Sequence, residues 1–207
     1  MRFYRPFFLQ RLLYPAALFR LRTSEKSLCL TFDDGPDPGS TPLILEILET
    51  RKVKAVFFCT GQLAESHPDL ISLIISKGHS IGNHGYHHLD GWKTVNRVYL
   101  RNFSISSDYT SKTLLRPPYG RIRPFQYREL TEKYRIVFWD LMPYDFDPGF
   151  GKEGSFRILK TKMRPGSVIV FHDRSTSTVL SFLEEFLEFA ERAGYRFVMP
   201  GISGREL

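Results

Sequence analysis

Cysteine is scarce in this chain. Two are present in 207 residues, Cys29 and Cys59, and each lies inside an apolar run (SLCLTF and AVFFCT) where a thiol acts as a small buried hydrophobe. A disulfide-dense scaffold is therefore excluded. Long hydrophobic stretches are missing too: nothing reaches the roughly 18 continuous apolar residues of a membrane span. No Ser/Gly linker, low-complexity tract or nucleic-acid-reading motif interrupts the chain. The first 22 residues, MRFYRPFFLQRLLYPAALFRLR, are basic and apolar in the manner of a signal peptide. Arg11 and Pro15 break that stretch, however, and no small-residue cleavage site follows.

What is present describes an ordinary folded protein. Hydrophobic residues make up 42% and charged residues 25%, and the length suits one domain with a substantial core. Aromatics reach 14%, with 18 Phe, which points to a Phe-rich core before an aromatic-lined groove. The 29 Lys and Arg against 22 Asp and Glu give +7, a balance that favours an anionic surface or substrate. Because the basic residues are scattered rather than striped, no nucleic-acid partner is expected. We expect a basic arm over residues 1–26 and a single domain over 27–207. The arm reads first as packing on the domain. Its alternative is a membrane-surface or partner-binding segment in which Arg2, Arg5, Arg11, Arg20 and Arg22 face phosphates. A cytoplasmic location and one peripheral at the membrane both remain open, and a monomer is expected.

From Ser27 onward, short β-branched or aromatic runs alternate with stretches of helical period. The predicted strands are SLCLTF, AVFFCT, HSIG, TLLRP, RIVFW, SVIVF and YRFVMP; the predicted helices span about 41–52, 61–77, 94–112, 124–133, 155–163 and 176–193. Strand after strand with a helix between implies parallel pairing through right-handed crossovers. The fold class is α/β, and seven units suggest a distorted, incomplete (β/α) barrel of about seven parallel strands.

The polar exceptions cluster at predicted strand ends: Asp33 and Asp34 after the first, Asn83 and His84 after the third, Arg116 ending the fourth, Asp140 and Asp145 after the fifth, His172 and Asp173 after the sixth. In a parallel barrel those ends share one rim, where such folds build their sites. Adjacent carboxylates such as Asp33 and Asp34 repel when ionised and need a cation, an Arg or a shared proton. Asp37, before Pro38 and Gly39, reads as turn chemistry. His84 and His88 are spaced to put both imidazoles on one face, with Cβ atoms about 5–6 Å apart. Two His and a carboxylate with open positions describe a catalytic Zn-like site. Arg116 suits holding a carboxylate ionised and oriented, and His172, after the apolar run SVIVF, suits a proton donor.

Taken in order, TFDDGP, GNHGYHH, RPPYG, WDLMPYDF and VIVFHD resemble the five motifs of the polysaccharide deacetylases with a NodB-homology domain, carbohydrate esterase family four, over roughly Ser27 to the C-terminus. The resemblance implies metal-dependent removal of N-acetyl, sometimes O-acetyl, groups from an acetylated glycan. By position it implies Asp34, His84 and His88 as ligands of a divalent metal, Zn first and Co, Ni or Mn otherwise. Asp33 would be the base, Arg116 its orienting partner, Tyr119 an oxyanion donor through its N–H, and His172 an acid tethered by Asp145. Three positions depart from the pattern: Gly85 in place of Ser or Thr, His87 in a small or polar slot, and Phe146 in place of a Trp on the groove wall. His87 is left with three readings, as a metal ligand, as a partner to a neighbouring group, or as a residue facing water. The rival functions are an O-acetyl esterase, an amidohydrolase of small cyclic amides, and a glycan-binding protein without turnover.

Overall fold

The computed structural model of the chain describes residues 4–6 and 8–200; Arg2 and the last seven positions of the expected domain lie outside them. Strands β1 (Ser27–Asp33), β2 (Val56–Cys59), β3 (Ser80–Asn83), β4 (Leu114–Leu115), β5 (Arg135–Ile136), β6 (Val168–His172) and β7 (Arg196–Phe197) make one sheet in the order β5-β4-β3-β2-β1-β6, with β7 against the start of β1. Every pairing is parallel. Helices α1 (Phe8–Leu13), α2 (Thr41–Thr50), α3 (Gly61–Ser66), α4 (Pro68–Ser76), α5 (Asn96–Ser106), α6 (Pro124–Thr131), α7 (Gly151–Lys162) and α8 (Leu183–Arg192) accompany the strands. The sheet curls until the segment after β5 meets β6 through a bridge from Leu141 to Ile169. This is the expected incomplete barrel of seven parallel strands.

β1 is buried along its whole length, as a central strand covered on both faces must be. Its alternation sorts side chains to two destinations. Leu28, Leu30 and Phe32 pack outward with Ile44 and Leu45 of α2, Ile74 of α4 and Phe186 of α8. Cys29 belongs instead to the cluster with Val56, Phe58, Leu114, Val137 and Val168, and Thr31 and Asp33 share its parity. The two residues above that apolar floor are therefore polar and meet at the upper end of the barrel. Both cysteines are free and buried, and burial pushes the Cys29 thiol up to about 12.

Two expectations are corrected. The single helix over 61–77 is two, because Pro68 lacks the N–H an uninterrupted helix needs and holds His67 off helical geometry at φ −133° and ψ 61°. Asp140 is not at the rim. Its N–H donates to the Val168 carbonyl at the start of β6, the end opposite His172. The chain dips after Trp139 and returns to the rim by Asp145. Among the described residues no helix is long and apolar enough to cross a membrane.

Candidate active site

Asp33, Asp34, His84, His88, Tyr119, Phe146 and His172 line one cleft of about 330 Å³ at the carboxyl ends of the strands. Arg116 and Asp145 stand behind it, fully buried.

Arg116 enters from the end of β4 and has a partner for each arm of its guanidinium. Nε donates to the Val137 carbonyl at 3.1 Å, Nη2 to the Phe138 carbonyl at 2.8 Å, and Nη1 to Thr31 Oγ1 at 2.7 Å and Asp33 Oδ1 at 2.6 Å. Its Cζ lies 4.2 Å from the centre of the Phe58 ring. A buried cation so saturated is rigid, and it fixes one oxygen of Asp33. The other, Oδ2, is left facing the cleft, 3.9 Å from His84 Nε2.

Asp34 Oδ1 lies 3.5 Å from His84 Nε2 and 3.0 Å from His88 Nε2. One ligand atom from each of these three residues falls within 4.8 Å of the others. His84 Nδ1–H donates to the Arg116 carbonyl at 2.8 Å, which leaves the Nε2 lone pair aimed at the site. Asp34 Oδ1 is buried without a hydrogen bond of good geometry. An acceptor-only donor set with an orphaned carboxylate oxygen fits a divalent cation. Burial works to raise the Asp34 pKa, yet contacts with His84 and His88 outweigh it and hold the group well below the usual carboxylate range. Asp34, His88 and Tyr119 all have left-handed backbones, at φ 79°, 52° and 59°, each costing roughly 1–3 kcal/mol for a residue with a side chain. Such strain persists only where the surroundings over-determine it.

Opposite these groups, Asp145 grips His172 twice: Oδ2 accepts the His172 N–H at 2.7 Å and Oδ1 stands 3.0 Å from Nδ1. Burial alone would lower the imidazole pKa, but the charge of Asp145, joined by Asp34 and Asp33, raises it to about 9. The Phe146 ring meets His172 edge-on at 4.8 Å.

One neighbour escaped the sequence reading. Arg174 Nε pairs with Asp34 Oδ2 at 3.0 Å; the available signal was a cation directly after the FHD run. Asp173 is buried and accepts from Ser40 and Thr41 at 2.6 Å each, with burial lifting its pKa to about 6. Its carboxylate explains Gly35, where a Cβ would come within 2.3 Å of Asp173 Oδ2. Asp37 keeps its turn, accepting the Gly39 N–H at 2.7 Å, and also ties down the Ser175 N–H at 2.9 Å. Gly85 is explained by φ +77° and by Asn102 Nδ2, 2.4 Å from where a Cβ would stand. His87 is exposed, with Nδ1 3.3 Å from Gln62 Oε1, outside the three-residue cluster.

Comparison with known proteins identifies the family. The family model described as polysaccharide deacetylase matches residues 20–136. A peptidoglycan-N-acetylglucosamine deacetylase of Bacillus cereus is 34% identical over 186 residues, covering 84% of this chain and 67% of that protein. A chitooligosaccharide deacetylase of Sinorhizobium fredii is 32% identical over 177 residues, 80% of each. The solved structure of the Bc1960 peptidoglycan N-acetylglucosamine deacetylase, in complex with a hydroxamate-type benzamide, superposes with a TM-score of 0.82 at 31% identity over 94% of both chains. With the motifs, the fold and these relatives in agreement, the chain belongs to the polysaccharide deacetylase family, hydrolases of carbon–nitrogen bonds other than peptide bonds.

Proposed function

We propose that this deacetylase removes N-acetyl groups from N-acetylglucosamine units of a glycan chain, with Asp33 as general base, His172 as general acid, and Asp34, His84 and His88 as the seat of a divalent cation, Zn before Co, Ni or Mn. The observation that carries the reading is the pairing across one cleft of a carboxylate with one free oxygen, Asp33, and an imidazole raised to about 9, His172. Acid and base chemistry near neutral pH needs such opposed environments.

A cation held by the three ligands supplies Lewis acidity towards the acetyl oxygen and a more acidic water. Asp33 takes the proton of the attacking water on its free oxygen while Arg116 keeps the other engaged. As water adds to the acetyl carbon, the negative charge that develops on the acetyl oxygen accepts a hydrogen bond from the Tyr119 N–H, an interaction worth about 3–4 kcal/mol in a preorganised site. Protonated His172, held by Asp145, gives its proton to the departing amine, the C–N bond breaks, and acetate and a free amino sugar leave. Phe146 and Tyr119 form the walls against which the sugar lies, and His87 is dispensable for the metal.

The relatives named for N-acetylglucosamine and chitooligosaccharide support the N-acetylhexosamine assignment. Residues 27–207 are read as the catalytic unit of a monomer, with 1–26 as an arm. Leu9, Leu12 and Leu13 are 61%, 61% and 47% exposed on α1, which keeps a membrane-surface role for that helix as the second reading. Arg5 and Arg11, by contrast, turn inward to Asp140. The test is acetate release from N-acetylglucosamine oligomers with and without Zn or Co. Acetate released only from O-acetylated substrates would overturn the N-acetyl assignment.

A further inference from the structure

A closed (β/α) barrel has eight staves, and this one has seven. The segment after β5 closes on β6 at Leu141 and Ile169, and below that bridge, where the two stand apart, the arm lies between them. Leu18 bridges in parallel to Val137, donating its N–H to the Ile136 carbonyl at 2.9 Å and accepting the Phe138 N–H at 2.8 Å. Two residues on, Arg20 bridges antiparallel to Ser167, and the Leu21 N–H donates to the Gly166 carbonyl at 2.8 Å.

The arm's side chains agree with its backbone. Leu18 is buried with Cys29, Val56, Phe58, Leu114, Val137 and Val168, in the apolar floor beneath the site. Phe19 stacks on Phe138 at 4.7 Å between centroids, and Tyr14 on the same ring at 5.7 Å.

The backbone that Leu18 holds, 136–138, is the backbone that holds Arg116. The Val137 and Phe138 carbonyls accept from Arg116 Nε and Nη2, and the same guanidinium fixes Asp33 Oδ1. An edge strand with one free side frays and drifts. Pairing on that side by Leu18 pins both acceptors, and with them the direction of the Asp33 carboxylate. The tolerance is narrow, since general-base geometry is lost over shifts of about 1 Å.

We infer that residues 14–20 act as a closing segment at the lower end of the barrel, turning between a parallel bridge to Val137 and an antiparallel one to Ser167, and that Leu18 and Phe19 are positioning residues for the reaction, acting through Val137, Phe138 and Arg116 on Asp33. The inference rests on the roles proposed above for Arg116 and Asp33, and it goes beyond packing of the arm on the domain.

The test uses the full-length, zinc-loaded protein and its kcat and KM on an N-acetylglucosamine oligomer. Leu18→Pro removes the N–H that pairs with Ile136, whereas Leu18→Ala keeps the pairing and removes only packing. We expect kcat to fall about tenfold in Leu18→Pro with KM and zinc content unchanged, and about twofold or less in Leu18→Ala. In an Arg116→Lys background the Leu18→Pro loss should vanish, because the two changes act on one chain of contacts. Should Leu18→Pro not fold, Phe19→Leu carries the same cycle with a smaller loss. Equal kcat losses in Pro and Ala variants, or a full additional loss in the Arg116→Lys background, would overturn the inference. A wild-type kcat in Arg116→Lys alone would instead overturn the role of Arg116 and leave the arm's pairing as structure.

Discussion

Two buried aspartates, one at each end of the barrel, show how an arginine partner can leave a carboxylate half free or close it completely. Asp33 and Asp140 are 4% and 0% exposed, and arginine meets both. At the lower end, Asp140 is closed: Oδ2 accepts Arg164 Nε at 3.1 Å and Ser167 Oγ at 2.8 Å, and Oδ1 accepts from Arg164 and from Arg11 at 3.1 Å. At the rim, Arg116 takes only one oxygen of Asp33, and the other looks into the cleft. Burial and an arginine partner are common to the two sites. What differs is the Asp33 oxygen left facing the cleft and the left-handed backbones of Asp34, His88 and Tyr119 beside it, and the role proposed for Asp33 rests on that difference.

Filling or removing that free oxygen should have the largest effect. Asp33→Asn keeps the shape and the Arg116 contact but not the basicity, and we expect acetate release to fall about 10²–10⁴-fold, the usual share of a general base. Metal content measured on the same sample should be unchanged. An unaffected rate would remove Asp33 from the mechanism and erase the contrast with Asp140.

Next come the ligands. His84→Ala and His88→Ala should each lose bound metal and turnover together, while His87→Ala retains both, read by metal analysis of the three purified variants. Metal loss from His87→Ala would mean that the cluster has a fourth member and that Asp34, His84 and His88 are not its whole donor set.

A third change acts on protons. His172 has its pKa raised to about 9 from 6.5, with Asp145 the main cause of the rise. In the proposed mechanism the acid form is the active one, so kcat should fall as pH climbs through about 9, and earlier where a bound cation adds its repulsion. Asp145→Asn removes the attraction, and the alkaline limb should move down towards 6.5. The same pair stabilises the fold fully below pH 6.5 and loses that contribution as pH rises through about 9. An alkaline limb that does not move would detach Asp145 from the acid.

Much of this was legible in the sequence, and the reasons for success and failure are physical. β1, β2 and β6 read correctly because strands buried on both faces are apolar runs, and polar residues closing such runs stand out. Asp33, Asp34 and His172 were singled out in that way, His84 by its spacing from His88 and Arg116 as the cation at a strand end, and the structure brings the five together. Asp140 was misplaced because its position depends on a dip of the chain after Trp139, which no local propensity encodes. The arm's pairing was hidden for a similar reason: Leu18 and Arg20 each contribute an isolated bridge, too short to leave a period-two pattern. The break at Pro68 could have been read, since the residue before a proline avoids helical geometry. Arg174 sits in an exposed loop where nothing but its proximity to FHD distinguishes it from the other arginines.

The smallest effect on chemistry should come from the lower end. Asp140→Asn leaves Arg5, Arg11 and Arg164 without their shared anion, but these side chains are 27%, 35% and 38% exposed, and water takes over part of what the carboxylate did. We expect a loss of about 1–3 kcal/mol in stability, or roughly 2–4 °C in Tm for each kcal/mol in a chain of this size, with turnover of the folded protein little changed. The pH dependence gives the loss a signature. Burial pushes the Asp140 pKa up, but Arg164 and Ser167 more than offset this and lower it below 3.8, so its stabilisation is present above pH 3.8 and disappears as pH falls through the folded value. Thermal melts of wild type and Asp140→Asn should therefore differ most near neutral pH and converge in acid. A gap that persists unchanged into acid would show that shape, and not charge, is what Asp140 contributes, and the two aspartates would then differ in kind rather than in the number of oxygens left free.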